Sequence, residues 1–247
     1  LLLLSCSTTK HSFLNIAYEK NVPSVKEAIK KSLYTTEDQR FGVLSKLDIW
    51  IKAIEKGKIL PSKAEQDTLL ALCYRYKADT YQSFKSIKQA LEYYNKAIAL
   101  DTTDIKSYFN RAGLYFNNLQ MYDIANQEFS EITEKSPVFA DAYHARGLTY
   151  SFRDMHVEAI VDFNNAIHID NTKQIYKNDK TASYQKLLQD TMGIPKLKEL
   201  MERCPEDTEV YTTSACIALA FEDYKLAKRL YGRAIETDLW NATLHVY

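Results

Sequence analysis

Glycine and proline are scarce in this chain, six and five among 247 residues. Sandwiches, barrels and glycine-rich phosphate loops all need many tight turns, so these two shortages argue against them together. Charge of one sign is missing as well: Lys plus Arg equals Asp plus Glu at 32 each, which leaves no global field to draw in a polyanion and argues against a nucleic-acid partner. Ten basic and six acidic side chains between residues 10 and 60 give that stretch a net +4, either a lysine-solvated surface or one attracted to anionic headgroups. Cys73, Cys204 and Cys216 have neither CxxC spacing nor interleaved histidines, so they read as small buried apolar side chains rather than a disulfide framework or a zinc site. HExxH, GxSxG, GxGxxG, a Walker loop and metal-spaced carboxylates are all missing, so no enzyme, metal or cofactor is expected.

What is present is a period. "RAGLYFNNLQMYDIANQEF" at 111–129 and "ARGLTYSFRDMHVEAIVDF" at 145–163 share their glycine, aromatic, alanine and phenylalanine landmarks 34 residues apart. Small residues recur at Ala78, Gly113, Gly147, Thr181 and Ala215, then at Ala90, Ala125, Ala159, Gly193 and Ala227. Large ones recur at Tyr81, Phe116, Tyr150 and Tyr184, then at Tyr94, Phe129, Phe163, Leu197 and Tyr231. Two helices approach closely only where the crossing side chains are small. Gly147 and Ala159 should therefore mark a contact within a helix pair, and Ala166 should make room for the next pair. Glycine costs about 1 kcal/mol of helix propensity relative to alanine, so its place inside a helix calls for such a packing reason.

This register resembles the tetratricopeptide repeat from about residue 71 onward, in five units at 71–105, 106–139, 140–173, 174–207 and 208–241, with the start of a further one at 242–247. The resemblance implies an all-α fold, a right-handed α-solenoid of antiparallel helix pairs. The fourth unit departs from the pattern. Lys177, Lys180 and Thr181 stand where apolar or small residues are expected, and Pro195 requires the second helix to begin near Ile194 and end near Arg203. That unit should be the loosest.

Upstream, residues 13–70 read as a helical cap or degenerate repeat, with capping boxes at Ser24, Thr36 and Ser62 setting helices of about 25–34, 37–56 and 63–85. Leu44, Leu47, Ile51 and Ile54 supply a buried stripe for the middle helix. The first residues, 1–12, open "LLLLSCSTTK". Four leucines are far short of the roughly 20 apolar residues a bilayer span needs. Leu3-Leu4-Ser5-Cys6 instead resembles the lipobox of bacterial lipoproteins, which implies cleavage before Cys6, lipid attachment to its thiol, and an outer-membrane anchor facing the periplasm. An ordinary N-terminal helix with a chance Ser-Cys is the alternative.

The repeat family commonly binds extended peptides or partner helices in a concave groove lined by first helices. Carried over by position, that groove should present Arg75, Asp79, Gln82, Asn110, Asn117, Asn118, His144, Leu148, Ser151, Phe152, Asn178 and Gln185. Asn110 and Asn117 are the natural holders of a peptide backbone, because an amide both donates and accepts. His144 and Asp141, one turn apart, could pair on the same helix. The carboxylate clamp found in part of the family cannot be assembled, since Asp79 and Asp141 occupy two of its places. The expectation is a lipid-anchored, non-catalytic adaptor with a protein or peptide partner, against surface capture of a glycan or a cytosolic repeat protein as alternatives.

Overall fold

The computed structural model describes residues 26, 27, 29, 30, 40–56, 62–189 and 193–244. Among them the chain is all-α, with no strand. It forms two compact units divided between Leu119 and Gln120. The boxes at Ser24 and Thr36 and the whole 1–12 segment, with Cys6, lie outside the described residues.

The first unit holds α1 (Arg40–Glu55), α2 (Lys63–Ser83), α3 (Ile87–Leu100) and α4 (Ile105–Asn117). Leu47, Ile51 and Ile54 of α1 are buried as the stripe requires, joined by Trp50, and they pack against Leu69, Leu70 and Cys73 of α2. Leu44 is only half-buried. Helix α2 starts at Lys63 without the expected capping box: the Ser62 side chain makes no cap bond, and the Ser62 carbonyl accepts from Gln66 N at 3.0 Å. Lys77, nearly fully buried on α2, reaches back to Asp48 of α1 at 2.7 Å. Further along, Ala78 and Ala90 bring α2 and α3 together around the fully buried Tyr94.

The second unit holds α5 (Tyr122–Lys135), α6 (Ala140–Ser151), α7 (His156–Ile169), α8 (Gln174–Gln189), α9 (Gly193–Arg203), α10 (Thr208–Ala220) and α11 (Tyr224–Leu244). Gly147 explains its own presence. A Cβ there would stand 2.7 Å from Phe163 Cε1 and 3.2 Å from the Ala159 carbonyl oxygen, so α6 and α7 meet at a distance only glycine permits. Ala166 is fully buried and, with Ala140, leaves space for the ring of Tyr176 from the next pair. Arg146 ties three helices: it grips Asp162 of α7 with two bonds at 2.6 and 2.7 Å and donates to Thr133 of α5 at 2.9 Å. Such a paired, forked contact satisfies a buried carboxylate that would otherwise be costly.

The turns between first and second helices share one geometry. Lys85, Asp154 and Glu222 have φ of 60°, 57° and 60°. Each sends its N–H three residues back, and the following N–H reaches five back, to Tyr81, Tyr150 and Ala218 at 2.9, 2.9 and 2.8 Å. That is the Schellman closure, normally built on glycine because a Cβ is strained in the left-handed region. Gln120 shares the positive φ, at 54°. In the fourth unit α8 instead runs straight through the corresponding position to Gln189.

That unit is loose in one sense only. Helix α9 begins at Gly193 with Pro195 in its first turn, where a missing N–H costs nothing, and it packs sparsely on α8. Lys180, the misfit of the sequence, has a partner: it meets Asp207 at 2.9 Å and Glu209 at 3.4 Å, at the start of α10. Of the three described thiols, Cys73 and Cys204 are buried. Cys216 is exposed, contrary to expectation, because its place on α10 faces outward beside the Tyr231 hydroxyl, 3.5 Å away.

Candidate peptide-binding faces

In the first unit, three expected groove residues are bound to one another or to the core. Asp79 on α2 accepts from the Tyr94 hydroxyl at 2.5 Å and from the Asn110 amide of α4 at 2.9 Å. Gln82 Oε1 lies 2.9 Å from the same hydroxyl. The hydroxyl has one proton and gives it to the shorter contact, so Gln82 must turn its amide to donate. Burial, reinforced by the Asp79 carboxylate, pushes the Tyr94 phenol well above its ordinary value and keeps it a donor. Arg75 sits 3.1 Å from Asp104 as an ion pair without an aligned hydrogen bond. Asn117 and Asn118, at the end of α4, are exposed.

In the second unit the expected His144–Asp141 pair does not form. His144 Nε2 lies 2.6 Å from Asp179 of α8, and its ring rests 4.7 Å from the Tyr176 centroid. Asp141 turns to Tyr176 and Lys173, at 2.5 and 2.6 Å. Tyr176 lies on the neighbouring first helix and Lys173 immediately before it, because a side chain on a packed helix face meets the next helix before it can fold back on its own. Burial alone would raise the Asp141 carboxyl, but the Lys173 and Tyr176 hydrogen bonds outweigh it and the net direction is down. Burial and the Asp141 bond carry Tyr176 up to about 12. Ser151 meets Ser183 at 3.3 Å. It stands seven residues beyond His144, about 10 Å along the helix, so the His144–Asp179 pair has no nucleophile there to activate. Asn178 accepts from Gln174 at 3.1 Å, Gln185 is exposed and Leu148 half-buried.

These bonds form a ladder in which each rung joins first helices one repeat apart: Asp79 to Asn110, Asp141 to Tyr176, His144 to Asp179, Ser151 to Ser183. The last rung is the densest. Asp207, with its side chain 3% exposed, accepts from Lys180, Asn164, Tyr184 and the Glu209 backbone at 2.9, 2.8, 2.9 and 3.1 Å. Beside it a cleft of about 590 Å³ is lined by Asn164, His168, Lys177 and Thr212 among others.

Phe152 stands apart from the ladder. It caps α6, is 62% exposed, and stacks on Tyr122 of α5 with ring centroids 5.5 Å apart. An exposed ring held in place by stacking on a half-buried one is a surface that gains by being covered. Tyr122 was not anticipated, since it opens a second helix and the groove expectation counted first helices alone. Among the described residues no group of three His, Cys, Asp or Glu could hold a metal, and no helix is long and apolar enough to cross a membrane.

Comparison with known proteins locates part of this architecture. Residues 77–104 match the tetratricopeptide repeat family model, covering the last third of α2 and all of α3. The mitochondrial import receptor subunit TOM70 of Mus musculus is 23% identical over 194 residues, 74% of this chain and 31% of the receptor. The small glutamine-rich tetratricopeptide repeat-containing protein of Dictyostelium discoideum is 26% identical over 170 residues, 68% of this chain and 50% of that protein. The chain thus spans about a third of the length of the import receptor. Among solved structures, the first TPR of Spaghetti (RPAP3) bound to an HSP90 peptide aligns at TM-score 0.47 with 21% identity, over 49% of this chain and 95% of that one. YrrB, described as a TPR protein with an unusual peptide-binding site, aligns at TM-score 0.47 with 18% identity over 75% and 90%.

Proposed function

We propose that this chain is a non-catalytic adaptor that takes up an extended segment of a partner protein on the first-helix faces. The observation that carries this reading is the exposed Phe152 ring, stacked on Tyr122 and flanked by Ser151 and Leu148. The ladder serves as its scaffold: Asp79, Asn110 and His144 hold neighbouring first helices in register rather than reaching for a ligand. In the second unit the partner contact then falls to Phe152, which stands outside the ladder. Peptides selected from a random library on the full chain should lose at least tenfold in affinity with Phe152→Ser. Equal affinity for both proteins would remove Phe152 from the binding surface and the reading with it.

The same reading places the adaptor at a membrane through lipid on Cys6, in a bacterial envelope. This half rests on Leu3-Leu4-Ser5-Cys6 alone. Metabolic labelling with palmitate should mark the wild-type protein and miss Cys6→Ala. Equal labelling of the two would end the anchored version and leave the adaptor intact.

A further inference from the structure

The aromatic register of the first helices stops at one place. Phe116, Tyr150 and Tyr184 follow at intervals of 34, and the next position in the series is Ala218. Phe116 and Tyr150 are half-buried, and Tyr184, directly preceding this position in the series, is 2% exposed and fills a core shared with Leu187, Leu197 and Leu200. At Ala218 no ring is available, although the backbone keeps the same Schellman closure, Asp223 N to Ala218 O at 2.8 Å. A cleft of about 400 Å³ opens over it, walled by Leu197 and Met201 of α9, Ile217 and Phe221 of α10, and Leu226 and Leu230 of α11. Its lip carries Phe221 and Ile194, 73% and 53% exposed.

The charges around the cleft are not balanced. Lys198 and Arg229 line it, and neither has an ion-pair partner among the described residues, whereas Arg203 and Arg233 on the same two helices are paired with Glu199 and Glu236 at 2.9 and 3.0 Å. The one acid in the lining, Asp223, is engaged in capping α11, where it accepts from Leu226 N at 2.9 Å, so the cations outnumber it two to one. An apolar slot that lacks one ring, bordered by two unpaired cations, is complementary to an aromatic side chain with acidic neighbours.

We propose that this cleft is a second docking site, separate from the first-helix face, for a partner segment that inserts one phenylalanine- or tyrosine-sized side chain flanked by acidic residues. The inserted ring takes the place that the repeat pattern gives to its own aromatic residue. Lys198 and Arg229 then set orientation and hasten encounter.

The test is fluorescence anisotropy on the full chain with a labelled nonapeptide bearing one central phenylalanine between aspartates. Two control peptides exchange that phenylalanine for alanine, or the aspartates for lysines. Binding of the first peptide at least tenfold tighter than of either control is expected. Ala218→Tyr, which fills the slot from within, should weaken it at least tenfold with helical content unchanged. The Lys198→Glu/Arg229→Glu double variant should do the same without touching the slot. No binding up to millimolar peptide, binding indifferent to the central ring, or undiminished binding to both cleft variants would overturn the proposal. So would concentration-dependent self-association abolished by Ala218→Tyr, which would make a second copy the occupant.

Discussion

Replacing Gly147 by alanine separates two forces that usually act together. In an ordinary helix the change stabilises, because alanine exceeds glycine in helix propensity by about 1 kcal/mol. Here the new methyl group would meet Phe163 Cε1 and Cδ1 at 2.7 and 2.9 Å and the Ala159 carbonyl at 3.2 Å. Carbon atoms settle at roughly 3.5 to 4.0 Å, so α6 and α7 would have to part by about an ångström or the Phe163 ring would have to leave its rotamer. The ring is fully buried and the carbonyl belongs to a helix, so neither gives easily. Overpacking of this kind costs about 1–3 kcal/mol, which leaves a net loss of up to about 2 kcal/mol once propensity is credited. Gly232→Ala in α11 is the matched control: nothing lies within 4 Å of its Cβ, so it should keep the full gain of about 1 kcal/mol. Urea denaturation followed by circular dichroism would show opposite shifts in midpoint at unchanged slope. Gly147→Ala combined with Phe163→Leu should recover part of the loss, since the ring atoms in collision are gone. If Gly147→Ala stabilises as much as Gly232→Ala, the close-approach explanation for the small-residue register is wrong.

Asp207→Ala should destabilise the second unit by about 3 kcal/mol in the same assay, because it leaves Lys180 only the longer contact to Glu209 at 3.4 Å and strips three other donors of their acceptor. Lys85→Gly, by contrast, should stabilise by roughly 0.5–1 kcal/mol, since it relieves a left-handed residue whose side chain is exposed. Alkaline titration should weaken the fold. Tyr176 keeps its proton up to about 12, above the ordinary phenol value near 10, so its contribution is complete below pH 10 and is lost as pH rises toward 12. Following phenolate absorbance together with helix content checks this, and Tyr176→Phe should remove that component of the loss. Cys216 should react with a thiol reagent well before Cys73, whose thiol burial pushes up to about 12; equal rates would contradict the packing of α2 on α1.

The all-α fold was legible because its strongest signal is steric. Gly147, Ala159 and Phe163 must be those sizes for α6 and α7 to touch, and size is written directly in the residue type. Polar partners were less legible, since a hydroxyl, amide or carboxylate on a helix admits several neighbours. His144 was paired with the acid one turn away and bonds instead to Asp179, 35 residues on. Lys180 looked like an error until Asp207 supplied its reason. A rule that would have found these bonds was present in the period itself: displacement by one repeat brings Asp79 near Asn110 and Asp141 near Tyr176 as well. Exposure was the hardest property to read. Cys216 on a first helix and Phe152 at the end of one are both apolar residues, and only the packing of their neighbours decides that they face outward.

The rungs between first helices reach one neighbour and no farther, and this sets how the protein would yield to force. Stretched between its termini, such an array comes apart in discrete releases rather than in a single rupture, each freeing about 34 residues, or roughly 110–120 Å of slack chain. The segment around Asp207, stitched to two preceding helices, would be the last in its unit to let go.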